Sequence, residues 1–110
     1  MTNETNLADT LCHKAKVNDY ESLKLFYKAG VNLNLKNYDN RTVAHIAAVE
    51  GHEVLLTFLA LEAKFDFTIQ DRNGKTPIDE INDQALADKI KKLIVDNTIE
   101  VSKDNIEVAV

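Results

Sequence analysis

The run Asn37-Tyr38-Asp39-Asn40-Arg41-Thr42-Val43-Ala44-His45-Ile46-Ala47-Ala48-Val49-Glu50-Gly51-His52 returns 34 positions later. Its second copy reads Asp71-Arg72-Asn73-Gly74-Lys75-Thr76-Pro77-Ile78-Asp79-Glu80-Ile81. Thr42 meets Thr76, Asn40 meets Gly74 and Asn37 meets Asp71. A second match lies beside it. Glu21 through Asn34 repeats as Val54 through Thr68, with one extra residue near Leu61 in the later copy. A period of this size marks an architecture of stacked units, none of which can bury its apolar face alone.

Each repeated position has a physical reason. A threonine at a helix N-terminus offers a side-chain oxygen to backbone N–H groups that would otherwise be orphaned, so Thr42 and Thr76 are expected to open helices. Pro77 follows at the first helical position, where a missing N–H costs nothing. Gly74 sits in a turn that wants positive φ, and Asn40 is the best non-glycine substitute for it. Ala47 and Ala48 are small enough for neighbouring helices to approach closely. Gly51 and Gly30 stand where helices end.

These residues resemble the ankyrin repeat family, whose pattern is Asp-x-x-Gly-x-Thr-Pro-Leu-His-x-Ala-Ala-x-x-Gly-His, a second helix, then Gly-Ala-Asp-x-Asn. The resemblance covers residues 7–95. It implies an all-α fold, an ankyrin-repeat solenoid of about three stacked helix–turn–helix repeats with β-turn fingers. Helices are expected at about Leu7–Val17, Tyr20–Ala29, Thr42–Val49, Glu53–Ala63, Thr76–Ile81 and Ala85–Val95. Extended loops, Val31–Asn40 and Phe65–Gly74, lie between the helix pairs. Residues 1–6 form a polar N-terminal segment and 96–110 an extended C-terminal tail. Departures from the pattern gather at the ends. Cys12 and Asn18 replace histidine and glycine in the first repeat; Asp79, Asn82 and Ala85 replace histidine, alanine and glycine in the third. The lysines Lys89, Lys91 and Lys92 suit the polar outer face of a capping helix. Val43-Ala44 replaces Pro-Leu in the central repeat, which leaves its helix start less defined.

Composition excludes other classes. The chain has 110 residues, a formal net charge of -5 and 45% hydrophobic residues, enough for one small core. Only 3 glycines and 1 proline are present, too few turn residues for a sandwich or barrel. The glycines are isolated, so no phosphate-binding loop forms. Acidic balance argues against nucleic-acid binding, which needs a basic face. No apolar run approaches the length of a membrane span, and the N-terminus has neither signal- nor transit-peptide character. The single cysteine, Cys12, excludes an internal disulfide framework and suits a reducing, cytoplasmic setting.

Catalytic and metal constellations are weak. His45 and His52 lack further ligands at zinc spacing. The family resemblance instead implies that they bond to threonine and to backbone of neighbouring loops. His13 reads as a surface residue, and Asp9 and Thr10 as capping residues. Cys12 has no activating partner at recognisable spacing and reads as a small, half-buried residue. The carboxylates of 66–71 and 79–83 lack a calcium-loop pattern. No catalytic residue, metal ligand or cofactor is expected.

The informative positions are those the repeat leaves free. The register puts them at Lys16 and Val17 in the first repeat; Tyr38, Asp39, Arg41, Val49 and Glu50 in the second; and Arg72, Asn73, Lys75, Asp83 and Gln84 in the third. Tyrosine and arginine are enriched at interface hot spots, so Tyr38, Arg41 and Arg72 stand out from ordinary turn residues. Tyr38, Arg41, Glu50, Arg72 and Lys75 are the expected partner-binding stripe. The tail competes with it. Thr98-Ile99-Glu100-Val101 and Ile106-Glu107-Val108-Ala109-Val110 alternate with period two, as in a hairpin or a strand-adding arm. A partly disordered tail and a C-terminal recognition ligand are the other readings.

Two function classes follow. The first is a non-catalytic interaction module, or a small subunit of a larger assembly, binding a protein through finger tips and first-helix face, with Met1 as its natural start. The second is a regulatory or assembly segment of an enzyme or channel. The stretch from Asn37 to Glu80 resembles the short ankyrin segments at the C-terminal ends of some glutaminases and asparaginases, and those of plant-type potassium channels. No amidohydrolase residues accompany it.

Overall fold

The computed structural model describes the backbone of residues 3–109 and the side chains of residues 7–96. Five α-helices are present: α1 Asn3–Lys16, α2 Tyr20–Lys28, α3 Val43–Glu50, α4 Glu53–Leu61 and α5 Gln84–Ala109, with a 3-10 turn at Ile78–Glu80 before α5. There is no strand among the described residues.

The helices alternate between two rows. α1 packs on α3, and α3 on the 3-10 turn; α4 packs on α5. Small residues make the first row possible. Ala15 of α1 and Ala44, Ala47 and Ala48 of α3 are all buried, so the helix backbones approach closely. Leu23, Leu55, Leu56, Leu59 and Ile90 bring the second row into the same core. Phe58 bridges α4 to α2, edge-on to Tyr20 at 5.3 Å and to Tyr27 at 5.7 Å. The Tyr27 hydroxyl then donates to the carbonyl of Glu62 at 3.0 Å, tying α2 to the end of α4.

The helix ends follow local chemistry. Asp19 caps α2 by accepting the Ser22 N–H at 3.2 Å and its hydroxyl at 2.7 Å. Those two bonds hold the Asp19 carboxyl below its ordinary pKa. Gly51 ends α3 in the left-handed conformation, φ 72°. Asn18 plays the same part after α1, with φ 60°. Gly30 and Lys64, 34 positions apart, both have positive φ. The two N-caps, Asp19 and His52, are 33 positions apart. The extra residue of the second copy therefore lies between the start of α4 and Lys64, as its alignment near Leu61 requires.

Two expectations are corrected. The helix expected over Thr76–Ile81 is only the short 3-10 turn. Ile81 swings to an extended conformation at ψ 117°. Asp83 then caps α5, its carboxylate accepting the Ala85 N–H at 3.0 Å. The extended tail expected over 96–110 is helical backbone as far as Ala109. Its period-two pattern yields to propagation. Adding a residue to an existing helix fixes one conformation for one hydrogen bond, with no new nucleus to form. Neither glycine nor proline interrupts the run. The readings of residues 1, 2 and 110 lie outside the described residues, as do those of the side chains of 1–6 and 97–110.

Candidate functional site

The two loops of the quoted repeat close on the same set of bonds. The Asn37 N–H donates to the Arg41 carbonyl at 2.9 Å, as the Asp71 N–H donates to that of Lys75 at 2.9 Å. The Asn37 side-chain oxygen accepts the N–H groups of Asp39 and Arg41 at 2.8 and 3.1 Å. An Asp71 carboxylate oxygen accepts those of Asn73 and Lys75 at 2.8 and 3.0 Å. Each loop passes through positive φ at the third position after the Asx residue, 60° at Asn40 and 78° at Gly74. An Asx side chain that holds its own turn fixes the loop before any tertiary contact forms.

The loops are joined to each other. The Arg72 N–H donates to the Asp39 carbonyl at 2.9 Å. The Arg72 guanidinium donates to the Tyr38 carbonyl at 2.6 Å and stands 3.8 Å from the Asp39 carboxylate. Tyr38 is 72% exposed on this platform. Tyr38, Asp39 and Arg72 are thus brought together, with their backbone held from both sides.

Arg41 lies behind the platform. Its guanidinium bonds Asp71 at 2.9 Å and Glu80 at 2.6 Å, which leaves its side chain 20% exposed and that of Asp71 2%. The backbone N–H of Lys75, then that of Asn73 and the Arg41 guanidinium, hold the Asp71 carboxyl below its usual pKa. Arg41 is therefore an internal strut linking one loop to the next and to the 3-10 turn, and not a side chain free for a partner.

His45 ties helix to loop. It is fully buried in α3. Its Nδ1 lies 3.1 Å from the Thr42 backbone nitrogen and 3.0 Å from the Thr42 hydroxyl; its Nε2 lies 2.8 Å from the Lys75 carbonyl oxygen. The Thr42 N–H can only donate, so Nδ1 carries no proton, and Nε2–H donates to Lys75. Burial pushes the His45 pKa below its ordinary value, in keeping with a neutral ring. His52 makes a parallel tie backwards, Nε2 to the Lys16 carbonyl at 3.1 Å.

Cys12 repeats this arrangement one unit earlier. Its Sγ donates to the Arg41 carbonyl at 3.8 Å. Burial, then the charge of Asp9, pushes the thiol pKa up to about 11, so the proton that makes this bond stays in place. In the third unit Asp79 stands at the same position. Its carboxylate accepts the Thr76 N–H at 3.0 Å, and the Thr76 hydroxyl accepts the Asp79 N–H at 3.3 Å. An ionised carboxylate caps the turn but has no donor to pass on to a further loop carbonyl.

The remaining candidates are spread around this centre. Asn73 and Lys75 are exposed on the second loop, and Val49 and Glu50 on the last turn of α3. Asp83 and Gln84 open α5, where Gln84 donates to Asp88 at 2.9 Å. Lys16 and Val17 are exposed at the end of α1. Sequence reasoning missed the Arg41–Asp71–Glu80 triad, although the repeated Asx at 37 and 71 was a signal for it: only the second is charged. Among the described residues, no three His, Cys, Asp or Glu side chains converge to hold a metal ion. No helix there is long and apolar enough to cross a membrane.

No protein-family profile matches the chain. Among curated proteins it is similar to putative glutaminase 2 of Caenorhabditis elegans, 44% identical over 68 residues, which are 62% of this chain and 11% of that protein. It is 39% identical over 70 residues to potassium channel KOR2 of Oryza sativa subsp. japonica, 64% of this chain and 10% of the channel. It is 37% identical over 62 residues to the mitochondrial liver isoform of glutaminase from Rattus norvegicus, 56% of this chain and 10% of that protein. The chain thus spans about a tenth of the length of the curated relatives it matches.

Proposed function

We propose that this chain is an ankyrin-type solenoid that holds a protein partner and carries out no chemistry of its own. The observation that carries the reading is the doubled attachment of Arg72. Its backbone and side chain both bind the preceding loop, at Asp39 and Tyr38, and leave the tyrosine ring exposed on rigid chain. A pre-ordered aromatic anchor beside a guanidinium loses little entropy on binding. Tyr38, Asp39, Arg72, Asn73 and Lys75 form the proposed contact surface, extended by Val49 and Glu50 of α3. The buried free thiol Cys12 suits a reducing compartment such as the cytoplasm.

The comparisons favour a second, compatible reading. The chain matches about a tenth of proteins named as glutaminases and of one named as a potassium channel. A segment common to proteins with such different names is one that serves regulation or assembly, not the activity of either. The chain would then be an assembly segment of an enzyme or channel.

The test is capture. The immobilised chain is incubated with native extract, and bound polypeptides are quantified for wild type and for Tyr38→Ala with Arg72→Ala. A loss worth about 2 kcal/mol or more in capture, with the melting temperature nearly unchanged, supports the loop platform. Full capture by the double variant overturns it.

A further inference from the structure

Phe58 of α4 is 5% exposed because α2 covers it with Tyr20 and Tyr27. Counted from the N-caps Asp19 and His52, Leu25 holds in α2 the place that Phe58 holds in α4. Leu25 is 67% exposed. With Ser22, Phe26 and Ala29 it lines a groove of about 360 Å³. α2 therefore shows to solvent the face on which α4 receives a neighbouring helix.

The far end of the molecule does not complement this face. The described part of α5 exposes Asp88, Lys91 and Lys92, and Lys89 is paired with Glu53. Joining copies head to tail would bring Lys91 and Lys92 to a face that carries one acid, Glu21, beside the like-charged Lys28, and so leave a lysine stripped of water without a counter-charge. α2, in contrast, complements itself. Glu21, Leu25 and Lys28 are exposed and fall on one stripe at i, i+4 and i+7, acid in the first turn and base in the last. Two such helices laid antiparallel meet at Leu25 and set each Glu21 opposite a Lys28. A two-fold axis makes both pairs at once.

We propose that the exposed face of α2 is a self-association surface: a second copy of this chain seats its α2 antiparallel on it, burying Leu25, Phe26 and Ala29 and pairing Glu21 with Lys28 of the partner subunit. This is independent of what the loop platform binds. With 9 residues in α2, the contact falls below the roughly 1,200 Å² of standard interfaces, so the dimer is weak and reversible.

The experiment is sedimentation equilibrium of the full chain at increasing concentration, with far-UV circular dichroism to follow folding. Wild type should show reversible dimerisation below about 1 mM, as a small interface allows. Leu25→Asp should be monomeric. Glu21→Lys and Lys28→Glu should each weaken the dimer at least about tenfold, because each sets like charges together twice. Mixing these two variants in equal amounts should restore dimers, since the opposed stripes are again complementary. Both reversals lie on the surface and keep the test open if Leu25→Asp fails to fold. A chain that stays monomeric, a dimer untouched by Leu25→Asp, or reversals whose mixture associates no better than either alone would overturn the proposal.

Discussion

Cys12 and His45 occupy the same place in successive units, 33 positions apart, and each reaches the carbonyl of the loop that follows: Cys12 that of Arg41 at 3.8 Å, His45 that of Lys75 at 2.8 Å. One connection is made by a weak sulfur donor, the other by an imidazole fixed in a single tautomer. Asp79, third in the series, only caps its own turn.

His45 gives the stability of the fold a pH signature. Its folded pKa lies below the ordinary 6.5, so the unfolded chain binds the proton more tightly. The contribution is full above pH 6.5 and is lost as pH falls through the lowered folded value. Asp19, Asp71 and Asp79 also have lowered values, but their contribution begins to fail only below the ordinary 3.8. Urea melts from pH 8 to 5 should show a decline in wild type that His45→Gln removes; an equal decline in the variant rejects the assignment. His45→Ala should cost about 2–4 kcal/mol, because it strands the Thr42 N–H and the Lys75 carbonyl.

Arg41→Ala should lower the melting temperature and leave partner capture affected only through folding. The guanidinium holds Asp71 and Glu80 together, and its removal leaves an Asp71 side chain only 2% exposed without its cation. Arg41→Lys should recover part of the loss, since an ammonium keeps the charge but not the planar fork. Thermal melts of both variants check the order. An Arg41→Ala protein as stable as wild type would remove the strut from the account.

Cys12 should resist modification. A thiol with pKa near 11 instead of the ordinary 9.0 carries about a hundredfold less thiolate at neutral pH. Its reaction with a chromogenic disulfide should be slow in buffer and fast in urea. Equal rates in the two would show that the thiol is open and ionised in the folded chain.

Ala48 tests the close approach of the helices. It is 1% exposed in α3. Ala48→Leu should overpack this site and cost on the order of 1–3 kcal/mol in chemical denaturation. A neutral result would mean that the helices do not meet there.

The legible part of the molecule was the part governed by local chemistry. Asn40 could be read as a positive-φ residue because it replaces a glycine in register, and it has φ 60°. Pro77 marked the start of a helical turn, which forms only as the 3-10 turn Ile78–Glu80; Asp83, expected to face a partner, instead caps α5. What could not be read depended on where distant groups meet. Arg41 belonged to the binding stripe by residue type, yet Asp71 and Glu80, 30 and 39 positions away, claim it. The period-two tail failed for another reason. Alternation decides for a strand only where a sheet is available to bury one face, and here a helix already in progress ran on through it.

The unequal connections also set the direction in which the molecule comes apart. The loop at Arg41 hangs on the unit before it by a thiol, and the loop at Lys75 by an imidazole. Transient openings should therefore begin at α1 and α2 and travel toward α5. Amide hydrogens in the first pair of helices should exchange with solvent sooner than those of α3 and α4. A tether pulling on the N-terminal side would peel units away one after another. The same force applied beyond α5 would first have to break the core packing of Ile90 against its neighbours.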